Sequence, residues 1–111
     1  MSGAAPRFKD VWQDALDAAL GRVRSRAPTT RDLVRDALDA HKHALRALLS
    51  ALADGKIDET TFKSALDDEQ LVLEGDLRAV RAMTHQAARN AAKTFMDVIE
   101  GAASQTLSGL L

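Results

Sequence analysis

The sequence predicts an all-α fold. It reads as an antiparallel helical hairpin with an additional N-terminal helix and a long C-terminal helix, a three- or four-helix bundle that a second copy of the chain would complete. Three observations carry this. Apolar residues recur at i, i+3 and i+4 along most of the chain, the spacing of one helix face. The apolar share of 46% is mostly alanine and leucine, strong helix formers, with four aromatics and no tyrosine. Breaks are few: two prolines and one Asp-Gly turn. At 111 residues the chain makes a single helical domain, 1–111, with room for a modest core.

The first helix is expected over about residues 6–24, since Pro6 suits a first turn that has no amide to satisfy. Phe8, Val11, Trp12, Ala15, Leu16, Ala19 and Val23 mark its apolar face, and Trp12 is read as its anchor on the core. Asp10, Asp14 and Asp17 toward its start and Arg22, Arg24 and Arg26 toward its end complement the helix dipole. Pro28 stops this helix, and Thr29 or Thr30 is positioned to cap the next, over about 30–53. There Val34, Leu38, His41, Leu45, Leu48 and Leu52 step alternately by four and three, a heptad seam.

Asp54-Gly55 ends the second helix, glycine supplying the left-handed position, and Asp58 caps the third. So short a turn forces an antiparallel hairpin. The third helix is expected over about 59–104, its stripe keeping phase throughout, which as one rod would measure roughly 65–70 Å at ~1.5 Å per residue. Helix two covers only its first half. The second half then has two fates. It continues as a rod whose stripe (Ala87, Ala91, Phe95, Val98, Ile99 and Ala102) is covered by a second copy, or it breaks near Thr84 and folds back as a fourth helix. Unbroken phase favours the rod. Leu107–Leu111 reads as a short apolar tail behind a link.

Net charge is −1 and the pI about 6.3, which argues against nucleic-acid binding driven by bulk positive charge. The absence of cysteine removes disulfides, thiolate metal sites and cysteine nucleophiles. No apolar run approaches ~18 residues, and the first residues lack the apolar core of a secretory signal, so a soluble cytoplasmic chain is expected. Charge along the long segment is lopsided. Asp58 to Asp76 holds seven acids and one lysine, whereas Leu77 to Met96 holds four bases and no acid.

The turn Ala53-Asp54-Gly55-Lys56-Ile57-Asp58 echoes half of a calcium-binding loop. In that register the other ligand positions fall on Ser50, Leu52 and Thr61, too few carboxylates for a hard cation. Asp39 and His43, one turn apart, are candidate metal ligands that need a third group, with Glu69 or Asp76 as donors across the hairpin. His41 points into the seam. Arg78, Arg81, His85, Arg89 and Lys93 form a basic stripe suited to an anion or to the polar rim of a contact surface, and Arg22, Arg24, Arg26 and Arg31 form a second cluster. No aromatics interleave with either for base stacking. Phosphate-binding glycine loops, a nucleophile elbow and converging carboxylate pairs are missing, so no enzyme and no cofactor is expected.

The order of elements resembles the small periplasmic heavy-metal-resistance and stress-chaperone helical proteins, in which a long hairpin precedes a final helix opening Leu-Thr-Pro-Glu-Gln. Met83-Thr84-His85-Gln86 occupies that place here, without the proline and glutamate. The resemblance implies a metal-responsive or stress-related role. The leading expectation from the residues themselves is a non-enzymatic protein acting by self-association and by binding another protein. Its alternatives are the metal-responsive hairpin and a nucleic-acid-backbone contact through the arginines.

Overall fold

The chain folds into five helices and no strand among the described residues, which in this computed structural model are 7–23, 27–80 and 83–110, the last five as helix backbone. They are α1 (Phe8–Leu20), α2 (Pro28–Asp39), α3 (Lys42–Ala53), α4 (Glu59–Arg78) and α5 (His85–Leu110). α2 and α3 act as one bent arm, so the architecture is an all-α four-membered bundle. None of its helices is long and apolar enough to cross a membrane.

Side-chain contacts fix an up-down-up-down course. Trp12 meets Phe95 at 5.1 Å between ring centroids, while Arg22 lies beside Ala87 and Asn90, so α1 and α5 run antiparallel. Lys63 pairs with Glu100 and Arg89 with Glu74, so α4 and α5 do too. His41 reaches Asp76 while Leu52 lies near Phe62 and Glu59, which sets the α2–α3 arm antiparallel to α4. α1 and α5 form the most extensive pairing. Its seam is rich in alanine (Ala15 and Ala19 against Ala88, Ala91 and Ala92), and small side chains let two helices approach closely.

The hairpin follows from local chemistry. Gly55 takes φ +73°, and the amides of Lys56 and Gly55 donate to the carbonyls of Ala51 and Leu52 at 2.9 and 3.2 Å. Two carbonyls freed by the end of α3 are thereby satisfied. Asp58 accepts from the Thr61 amide at 2.7 Å and starts α4. α2 starts at Pro28 itself, after Ala27, so neither Thr29 nor Thr30 is the cap. Pro6, Arg24, Arg26, Arg81 and Leu111 fall outside the described residues, and α5 continues as helix through Leu110 where a looser tail is expected.

One expectation of continuity, that of the second helix, is corrected, and of the two fates open to the third the chain takes the break near Thr84. The second helix bends at Ala40–His41, where the His41 amide reaches back three residues to the Leu38 carbonyl at 3.0 Å and His41 sits at φ −94°, ψ −3°. The long third helix also ends early. Val80 bonds back to Leu77, the chain turns, and Thr84 restarts it, its Oγ1 accepting from the Ala87 amide at 3.0 Å. The reason lies in the stripe beyond. Ala88, Ala91, Ala92, Phe95, Met96, Ile99, Ala102 and Ala103 are all buried, a face broad enough for α1 and α4 together. Burying large apolar side chains is worth about 1.5–3 kcal/mol each, which a protruding rod would forgo.

Candidate functional site

The stripe assigned from sequence to a second copy is occupied within the chain. Ala91, Phe95 and Ile99 are fully enclosed, Ala102 is buried, and Ala87 and Val98 are half-buried flanks. The buried face is broader than the expected stripe and also takes in Ala88, Ala92, Met96 and Ala103. As an intermolecular contact surface that assignment is corrected: the helix that carries it folds back and packs on α1.

Its expected polar rim is likewise divided. Arg89 donates to Glu74 of α4 at 3.4 Å, and Lys93 pairs with Asp97 on its own helix at 3.2 Å. Arg78 reaches His85 Nδ1 at 3.3 Å across the turn. Exposed pairs of this kind contribute about 0–1 kcal/mol each. Of the second cluster, Arg31 donates to the Leu20 carbonyl at 3.4 Å, while Arg22 lines a concavity of about 420 Å³ with Thr84, His85, Gln86, Ala87 and Asn90.

The metal candidates do not converge either. Asp39 ends α2 and accepts from the Trp12 indole N–H at 3.2 Å, whereas His43 lies beyond the bend, exposed on α3. Glu69 and Asp76, the acids expected to help them, are both taken by His41. Among the described residues no group of three or more histidine and carboxylate side chains is arranged to hold a metal ion.

His41 is the buried polar residue at the centre of the arm. Its Nδ1 lies 2.7 Å from Glu69 Oε2 and its Nε2 lies 2.8 Å from Asp76 Oδ2. A neutral imidazole donates from one nitrogen only, so bonding a carboxylate at each nitrogen selects the imidazolium form. Burial alone would depress the His41 pKa. The hydrogen bonds and negative charges of Glu69 and Asp76 outweigh it, and the pKa is raised above the usual value of 6.5. The carboxylates sit on opposite sides of the ring, a clasp between the bend and α4. The signal for it was present in the sequence: Glu69 and Asp76 are seven apart, hence on one helix face, opposite a histidine in an apolar seam.

Beside the clasp runs a groove of about 410 Å³ between α3 and α4, open to solvent. One wall is Ala44, Ala47 and Leu48; the other is Ala65, Asp68 and Glu69. Val72, seven residues beyond Ala65 and so on the same face of α4, is 55% exposed. Leu71, 68% exposed, stands next to it on the outward face. Leu33, on α2, is the third large apolar side chain left substantially open. Sequence reasoning missed this surface because Leu48 reads as part of the apolar seam, while Ala47, Ala65 and Val72 lie outside the stripes it followed.

A groove of this kind can take apolar side chains at its base while its carboxylates bond from the rim. No family model, curated protein or solved structure matches the chain.

Proposed function

We propose that this is a non-enzymatic helical module that binds another protein through the α3–α4 groove. One observation carries the reading: a bundle that encloses Phe95, Leu38, Leu45, Leu73, Leu77 and Ile99 completely leaves an open furrow lined by Ala44, Ala47, Leu48 and Ala65, with Val72, on the same face of α4 as Ala65, more than half exposed. Apolar patches rimmed by polar groups mark protein-contact surfaces. His41 is unsuited to general acid–base work on a bound substrate, since it is buried and both ring nitrogens are engaged.

The test is comparative capture from the source cells by the immobilised full chain, quantified by mass spectrometry. Ala47→Arg, on the groove wall, and Val72→Asp, on the same face of α4 as Ala65, should each lose the same protein that the wild type and Gln13→Arg, at an exposed position of α1, retain. A protein retained equally by all four chains would refute the groove as the docking face.

A further inference from the structure

We propose that the occupant of the α3–α4 groove is a cationic amphipathic helix of a different protein; this rests on the groove being a docking face and assigns its partner chemistry. The walls supply the shape. Ala44, Ala47 and Leu48 on α3, and Ala65, Asp68 and Glu69 on α4, each fall at i, i+3, i+4 spacing, leaving a shallow furrow between two helix ridges. A helix laid in it satisfies its own backbone hydrogen bonds. An extended segment would leave amides and carbonyls against alanine methyls, with no strand edge among the described residues to pair with.

Charge selects the sign. Asp68 and Glu69 line the groove, Asp76 lies two turns beyond Asp68 with its side chain 48% exposed, and among the described residues no lysine or arginine lines it. The neighbouring bases are turned away from it. Lys42 stands over the Trp12 ring at 5.8 Å and Arg46 over Phe8 at 5.5 Å, both toward α1. Lys63 pairs with Glu100 on α5, and Arg89, itself on α5, is held by Glu74. The groove is therefore apolar at its base and acidic at its rim, where the three carboxylates of Asp68, Glu69 and Asp76 outnumber the single imidazolium of His41. A second copy fits it poorly: a two-fold contact would bring the same acidic wall against itself. A helix with leucines on one face and lysines or arginines along its flanks matches both features.

Nuclear magnetic resonance titration of the full ¹⁵N-labelled chain tests this with two synthetic peptides of about 14 residues, about 21 Å as helix. Both carry leucine at i, i+3, i+4 and i+7; one fills the remaining positions with lysine, the other with glutamate. The lysine peptide should shift the amides of Ala44, Ala47, Leu48, Ala65 and Asp68 and bind roughly tenfold more tightly than the glutamate peptide. Asp68→Lys, on an exposed helix position and checked for unchanged circular dichroism, should narrow or invert that preference. Equal groove binding by both peptides would overturn the cationic assignment while leaving the groove as a docking face. Shifts confined to α1 and α5, or none, would overturn the helix-in-groove proposal, and the capture experiment then decides the docking face separately. A peptide-free dimer by light scattering that Ala47→Arg dissociates would overturn it in favour of a second copy.

Discussion

Removing the titratable group of the His41 clasp gives the most quantitative prediction. His41→Gln keeps a polar side chain of similar length but no charge, and both its N–H donors sit on one nitrogen rather than on opposite edges of a ring. Two hydrogen bonds, at 2.7 and 2.8 Å, are then lost or weakened. Charge-assisted bonds are worth about 1.5–3 kcal/mol each when their partners are dry. Here the Glu69 and Asp76 side chains are 29% and 48% exposed, so water takes back part of that value. Burying the imidazolium costs a further share. A net loss of about 1–3 kcal/mol at pH about 6 is expected. The pH dependence has a definite sign. The folded pKa is raised above 6.5, so the clasp stabilises fully below pH 6.5 and loses that contribution as pH rises through the folded value. Urea unfolding of both chains from about pH 6 to about pH 9 measures it. The stability difference between wild type and His41→Gln should shrink as pH rises. A difference that stays constant or grows over that range would refute the assignment of an imidazolium held by two carboxylates.

The same assay checks three further expectations. Phe95→Ala should cost about 3–5 kcal/mol, because the ring is fully enclosed and lies edge-on to Trp12; a cost below about 1 kcal/mol would mean α5 does not pack as described. Gly55→Ala meets no atom within 4 Å of the added methyl, so its cost of about 1 kcal/mol comes from the positive φ alone, and a stabilised variant would contradict the turn. Thr84→Ala removes the oxygen that accepts from Ala87 and should cost about 1 kcal/mol, with faster amide exchange at Ala87; unchanged exchange there would argue against a cap at this position.

What the sequence revealed and what it hid divide along the range of the interactions. The hairpin was legible because its causes are local: Gly55 and Asp58 act on amides and carbonyls within a few residues. The all-α class was legible from periodicity alone. The bend at His41 was not, because its partners lie 28 and 35 residues away on α4. At Thr84 the sequence offered a cap and a rod at once, and the apolar stripe kept phase across the break. Only the breadth of that stripe, from Ala87 and Ala88 to Ala102 and Ala103, showed that it faces two helices, and breadth has no meaning until the neighbours are placed. The groove was least legible of all. Leu48 reads as part of the apolar seam, while Ala47 and Ala65 lie outside the stripes and have side chains too small to close the space between α3 and α4.

Site-specific photo-crosslinking in the source cells tests the central claim, that this open groove is the surface the protein works through, most directly. A photoreactive residue placed singly at Ala47 or Val72 should yield the same discrete adduct with another protein, and at Gln13 or Asn90 none. Adducts that form equally from all four positions, or only from Gln13 and Asn90, would contradict it.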